Sequence, residues 1–362
     1  MEKKVKLAII GCGGIGTGKH LPSLSKVPEV EVVAFCDLIE ERAVEAAKKF
    51  GTPDARVYVE YKELLAKEQD IEVVHVCTPN RSHSEISIAA LEAGHHVMCE
   101  KPMAKTYAEA KAMLETAKRV GKKLTIGYQG RQRPEAQYLK KAVERGDLGE
   151  IYYAKAHAVR RRAVPTWGVF LNEYEQGGGP LIDIGTHALD LTLWTMNNYE
   201  PAYVVGTTYR KLADDTNQGN AWGDWDPKKF TVEDSAFGFI VMKNGATITL
   251  ESSWALNVAK PHENSCTLCG TKGGADMDDG LRFNFIDMNR QVTSKPDFNA
   301  GGSAFYEAIK DEDNSGKEAR QWINAILNDT DPCVLPEQAL CVTRILEGIY
   351  TSAKTGKPVY FD

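Results

Sequence analysis

The sequence predicts an α/β protein in two parts. Residues 1–128 read as a doubly wound parallel sheet, and residues 129–362 as an α+β domain on a large open, mostly antiparallel sheet. Three observations carry this. Short apolar runs alternate with helical patterns up to about residue 128, the mark of βαβ units. A glycine-rich turn follows the first run at once. Beyond residue 130 the runs succeed one another in hairpin order, with Lys243-Asn244-Gly245 as a turn signal between two of them. At roughly 100–200 residues per domain, 362 residues make two domains.

In chain order, Val5–Ile10, Val30–Cys36, Val73–Cys77, His96–Cys99 and Leu124–Tyr128 are the strands of the first part. Glu40–Phe50, Lys62–Lys67, Ser84–Ala93 and Tyr107–Val120 are the helices between them. In the second part Pro134–Arg145 and Leu181–Met196 are helical, followed late in the chain by Glu318–Leu327 and Pro336–Lys354. Glu150–Val159, Tyr203–Tyr209, Ser235–Met242, Ala246–Trp254, Ser265–Cys269 and Leu281–Ile286 are its strands. Leu212–Thr231 is a polar loop long enough to be either functional or disordered.

Composition narrows the function. The net charge of −6 argues against nucleic acid or an anionic membrane as partner. No apolar window reaches the roughly 18 residues of a membrane span. The run Val5–Ile10 is too short for a signal peptide, so none is expected. Eight scattered cysteines point to a reducing compartment, hence a cytoplasmic protein. Cys266-Thr267-Leu268-Cys269 has no second pair at zinc spacing, and no metal is expected.

Gly11-Cys12-Gly13-Gly14-Ile15-Gly16 matches GxGxxG in the required place, between a strand and a helix. Gly11 permits the tight turn, Gly13 lets a pyrophosphate approach the backbone, and Gly16 allows close helix packing. With Gly14 and Ile15 they form the expected dinucleotide site. Asp37 ends the second strand 21 residues past Gly16, where an acid holds a ribose 2′-hydroxyl and repels a 2′-phosphate. That favours NAD over NADP, with Arg42 nearby as a counterweight; the competing role for Asp37 is a helix N-cap. Thr78, Pro79, Asn80 and His83 follow one strand and Glu100, Lys101 and Pro102 the next. Both groups sit at carboxyl ends of strands, where open α/β sheets bind ligands.

In the second part, three glycines and Pro180 open a helix carrying Asp183 and His187 at i and i+4, on one face. A carboxylate beside an imidazole suits removal of a hydroxyl proton. The plainer alternative is a helix-start acid with a core histidine. Asp190, on the same helix, reads as structural. Arg160-Arg161-Arg162 is a basic run able to meet substrate or a neighbouring subunit. Trp167, Trp222 and Trp225 can stack on a sugar or cover a core.

These residues together resemble the glucose–fructose oxidoreductase/inositol dehydrogenase (Gfo/Idh/MocA) family over nearly the whole chain. The likeness rests on Gly11–Gly16, Cys77-Thr78-Pro79-Asn80 with His83, Glu100-Lys101-Pro102, Gly127-Tyr128 with Arg131, and the Asp183…His187 helix. It implies an N-terminal Rossmann domain, a nicotinamide cofactor, and a homodimer or homotetramer assembled through the open sheet. It implies oxidation of a secondary hydroxyl of a sugar, glycoside or cyclic polyol to a ketone, or the reverse. Lys101, Asp183 and His187 would be the catalytic set: His187 takes the proton, Lys101 holds the oxygen, and Asp183 holds substrate or His187. Tyr128, Arg131, Arg160 and Trp167 join Asp183 and His187 as expected substrate contacts. A few family members instead cleave glycosides through a transient ketone with tightly held NAD. That alternative needs a further acid or base such as Tyr128, Glu173 or Tyr174.

Overall fold

The structure is a computed structural model that describes residues 4–215, 217–298 and 313–361. The chain forms two compact units, Met1–Gln129 with Glu312–Leu340, and Gly130–Asp311 with Cys341–Asp362.

The first unit is built on six parallel strands: β1 Val5–Ile10, β2 Val30–Cys36, β3 Arg56–Tyr58, β4 Val73–Val76, β5 His96–Cys99 and β6 Leu124–Ile126. Their order is β3-β2-β1-β4-β5-β6. The order reverses beside β1, the switch point where such sheets leave a crevice at the strands' carboxyl ends. β1 pairs with β2 and β4 so that Ile10 lies level with Cys36 and Val76. The glycine turn, the end of β2 and the loop after β4 therefore leave the sheet at one edge. β3 escapes sequence reading because its three residues show no apolar run.

The core of this unit gathers Leu7, Ile9, Phe35, Val73 and Met98, and the helix Asn314–Leu327 completes it. Ala319, Trp322, Ile323 and Ile326 recur at helical spacing and face that core. Asp313 starts the helix by accepting the Gly316 N–H at 2.7 Å. The expected division at 128/129 placed this helix in the second domain, whereas it packs on the first. Its amphipathic period shows that it has a buried face but not which sheet that face meets.

The second unit carries a nine-stranded sheet made of β7 Ile151–Val159, β8 Pro201–Tyr209, β9 Ser235–Met242, β10 Thr247–Ser253, β11 His262–Gly270, β12 Gly274–Asp276, β13 Arg282–Asp287, β14 Arg290–Ser294 and β15 Val359–Tyr360. The order is β14-β13-β12-β11-β7-β10-β9-β8-β15, with β7 and β10 parallel and the other pairs antiparallel. The β9–β10 turn closes as expected, with Gly245 at φ +89°. Gly206 and Gly238 are directly paired, and together they make room for Ile349 of the helix Pro336–Thr355. The expected helix Leu181–Met196 divides into a wide turn of π type, Leu181–Gly185, and an α-helix, Thr186–Met196.

The long loop over 212–231 is held by its own polar bonds. Asp234 accepts from the N–H groups of Leu212 and Ala213, the Gln218 side chain bonds both the N–H and the carbonyl of Trp225, and Asn220 bonds Val164 twice. Among the described residues no helix is long and apolar enough to cross a membrane.

Candidate active site

The first unit supplies a cradle at the end of β1. Gly11 has φ +99°, and a Cβ there would stand 2.6 Å from the Cys77 backbone. A Cβ on Gly16 would overlap the Gly11 carbonyl oxygen. These two glycines are dictated by packing. At Gly13 and Gly14 a Cβ would meet nothing within 4 Å, and Gly14 and Ile15 are exposed. The open space lies where a pyrophosphate needs to approach the backbone. Asp37 borders it: Oδ2 accepts the Cys12 N–H at 2.8 Å and Oδ1 the Ile39 N–H at 2.9 Å. Asp37 is not the N-cap of helix Glu40–Phe50, because Ile39 holds that position. The geometry fits a dinucleotide, with Gly13 and Gly14 for its phosphates and Asp37 for its ribose.

Behind the cradle lies a polar network that sequence reading missed. Glu100 Oε1 accepts from Lys19 Nζ at 2.7 Å and faces His20 Nε2 at 2.8 Å, while Oε2 accepts the Lys101 N–H at 3.1 Å. Lys19 also pairs with Glu318 at 3.0 Å, and His20 Nδ1 meets His75 Nδ1 at 2.9 Å. Burial alone would raise the Glu100 carboxyl, but the Lys19 charge and the His20 bond outweigh it and hold it well below the usual range. For Glu318 burial prevails and its pKa is raised. Burial, with His20 and Lys19 nearby, pushes the His75 imidazole well below its ordinary value. The available signal was that Lys19-His20 lies just past the glycine loop, after Thr17 and Gly18.

Two expected cofactor contacts, Glu100 and His83, are buried and tied to neighbouring loops. Glu100 is buried, and both its oxygens are engaged in the network. His83 is buried with Nδ1 2.8 Å from the Pro102 carbonyl and Nε2 2.9 Å from the Thr78 carbonyl. Each braces the loops rather than presenting a free polar atom. Thr78 and Asn80 are half-buried and Pro79 exposed on the loop that His83 holds. Lys101 is half-buried, with a cis peptide bond to Pro102.

The second unit presents the Asp183–His187 pair. Every residue from 181 to 196 is buried except these two. The accessible pair at i, i+4 is therefore the only opening in a segment otherwise given to packing. The fully buried Trp254 donates its indole N–H to Asp183 Oδ2 at 3.0 Å, a tie that sequence reading also missed.

The other expected substrate contacts differ in burial and pairing. Arg131 is fully buried, and its Nε and Nη2 grip Asp190 at 2.9 and 2.6 Å, with the Trp194 ring 5.5 Å away. It forms a structural ion pair, as expected of Asp190. Tyr128 is 1% exposed and belongs to the packed interior. Arg160 is engaged by Glu263 through two nitrogens and lies 5.1 Å from the Trp222 ring. Trp167 is 52% exposed and meets Trp222 edge-on at 5.0 Å, an open aromatic surface, whereas Trp225 is buried against Phe230. Glu173 and Tyr174 are exposed on a short helix.

Comparison with known proteins gives a consistent answer. Residues 5–128 match the model of an oxidoreductase family with an NAD-binding Rossmann fold, and residues 136–276 match the GFO/IDH/MocA C-terminal domain. D-glucoside 3-dehydrogenase of Escherichia coli (strain K12) is 35% identical over 98% of this chain and 97% of its own length. Inositol 2-dehydrogenase of Salmonella typhimurium is 28% identical over 75% of this chain and 74% of its own. The crystal structure of an aldose–aldose oxidoreductase from Caulobacter crescentus superposes with a TM-score of 0.79 at 25% identity, covering 99% of this chain and all of that one. With its glycine cradle on the first sheet and its Asp183–His187 segment on the second, the chain belongs to the GFO/IDH/MocA family of NAD-binding oxidoreductases.

Proposed function

We propose that the protein oxidises a secondary ring hydroxyl of a D-glucoside to a ketone, at the 3 position, with NAD as hydride acceptor. The observation that carries the chemistry is the Asp183–His187 pair, the accessible exception in a buried segment. The 35% identity to a D-glucoside 3-dehydrogenase supports the substrate class and position. A bound nicotinamide supplies the hydride acceptor. The chain supplies the rest. Hydride leaves a secondary alcohol only as the hydroxyl proton is removed, because the product is a neutral ketone. His187 takes that proton, a task suited to an imidazole acting as general base near neutral pH. Lys101 donates to the oxygen as charge develops on it. Asp183 orients the imidazole or a substrate hydroxyl. Trp167 offers the apolar face of its ring to a pyranose.

The test is NADH formation at 340 nm with methyl D-glucosides, free D-glucose and myo-inositol, and NMR assignment of the ketone. A methyl glucoside should be turned over and yield the 3-ketone. His187→Ala and Lys101→Ala should each lower kcat by roughly 10²–10⁴, and His187→Ala should leave NAD binding nearly unchanged. Release of the aglycone without net NADH would instead identify a glycosidase, and near-native turnover by His187→Ala would remove the assigned base.

A further inference from the structure

The turn that presents Asp183 and His187 has no cap of its own. Pro180 contributes no side-chain bond at its start, and residues 177–179 are glycines. The missing acceptor comes from Glu233, just ahead of β9. Its Oε2 accepts the Gly179 N–H at 2.8 Å and its Oε1 the Leu181 N–H at 3.2 Å. The Tyr350 hydroxyl donates to the same Oε1 at 2.8 Å. A carboxylate here satisfies donors that a helix start leaves unpaired and complements the positive end of the helix.

The fit leaves little play. A Cβ on Gly178 would overlap the Tyr350 hydroxyl, and one on Gly179 would overlap the Glu233 carbonyl oxygen. β10 grips the same turn further on. Ser252 Oγ donates to the Pro180 carbonyl at 2.8 Å, and the Trp254 indole donates to Asp183. Ser235 and Ser253 are paired in the β9–β10 ladder, and the Trp254 N–H bonds the Asp234 carbonyl. Glu233 and Trp254 thus leave one end of one hairpin and hold successive parts of the turn.

We propose that Glu233 and Trp254 are positioning residues for the Asp183–His187 pair. Glu233, seated by Tyr350, fixes where the turn begins, and Trp254 fixes the Asp183 carboxylate. The proposal rests on the reading of His187 as base and Asp183 as its partner. Both ties act through the turn on the reacting groups, where a displacement of about 1 Å can cost roughly 100-fold in rate.

Glu233→Gln keeps the shape and one acceptor oxygen but replaces the other by an amide NH2, which cannot accept, opposite either the Gly179 N–H or the Leu181 N–H and Tyr350 hydroxyl. It should lower kcat for the glucoside by roughly 10- to 100-fold. KM for the glucoside and NADH affinity by fluorescence should stay near wild type, and the thermal midpoint should fall only modestly, as a buried donor loses its acceptor. A readout independent of turnover is the Trp254 indole N–H resonance, identified by its loss in Trp254→Phe. It should move in Glu233→Gln, and in Asp183→Ala, which removes its acceptor. Tyr350→Phe takes away one donor to Glu233 and should shift the same resonance less; it keeps the test open if Glu233→Gln fails to fold. An unmoved indole resonance with kcat within about twofold of wild type overturns the proposal. So does a loss of kcat that only follows a fall in thermal midpoint. A shifted resonance together with a fully active His187→Ala enzyme would leave the clamp standing and reject the catalytic reading beneath it.

Discussion

A carboxylate that already accepts two backbone N–H bonds still has lone pairs for a ribose diol. Asp37 is such a group, at once fastening the glycine turn through Cys12 and bordering the open space at Gly13 and Gly14. Its charge repels a 2′-phosphate, so NAD should bind more tightly than NADP by roughly 1–3 kcal/mol if one charge-assisted contact decides the choice. Asp37→Asn retains an oxygen for the Cys12 N–H while losing the charge, and should narrow that gap without dismantling the turn. Competitive titration of the two cofactors by fluorescence measures it, and equal affinities in the wild type would contradict the assignment. At this scale the sequence was most legible where spacing dictates local structure, as in the packing of Gly11 and Gly16 and the partly exposed i, i+4 pair of Asp183 and His187. It was least legible where a side chain's partner lies far along the chain. Arg131 read as a substrate contact because nothing local shows that Asp190 will neutralise it. Lys19 passed unnoticed because one of its two acids, Glu318, arrives from the far end of the chain.

At the scale of elements, strands and helices with strong periodicity were legible to the residue: Val5–Ile10, Val30–Cys36, Glu40–Phe50 and Tyr107–Val120 match their expected bounds. β12, β14 and β15 were missed for the reason β3 was, being short and without an apolar run. The wide turn at Leu181–Gly185 was also hidden, since its hydrogen bonding is set by contacts from β9 and β10. Strand β5 offers a pH prediction. His96 Nδ1 accepts the Lys123 N–H at 2.9 Å, a bond that needs a neutral ring. Burial, with Lys122 and Lys123 nearby, lowers its pKa to about 4. Between pH 6.5 and about 4 the native state therefore carries fewer protons at His96 than the unfolded chain does. Its contribution to stability is full above 6.5 and declines as the pH falls through that window. An NMR titration should show the His96 ring half-protonated near pH 4; a midpoint near 6.5 would remove the effect.

At the scale of the whole molecule, the nine-stranded sheet is the unresolved surface. On one face Ile349 fills the Gly206–Gly238 groove, and the helix Thr186–Met196 is buried except at His187. The ladder places Val205 beside Phe239, and Thr207 beside Phe237, on the opposite face. Phe239 remains 45% exposed there, Tyr209 41% and Tyr360 72%, with Tyr209 stacked toward Phe237 and Tyr203 toward Tyr360. Contiguous aromatic surface across several strands is more than a solitary globular chain usually leaves in water. The physical expectation is that copies of this chain cover it for one another, in a homodimer or homotetramer. Phe239 is the residue to test, because it is central to the face, pairs with Thr249 as well as Val205, and points away from the core. Phe239→Lys puts an ammonium into the proposed contact while leaving the buried face untouched. Light scattering at micromolar concentration should give a multiple of 40.0 kDa for the wild type and a mass near 40.0 kDa for the variant, with an unchanged far-UV spectrum. A wild-type mass of 40.0 kDa would mean that water tolerates this face after all. An oligomer that survives the substitution would place the contact on another surface.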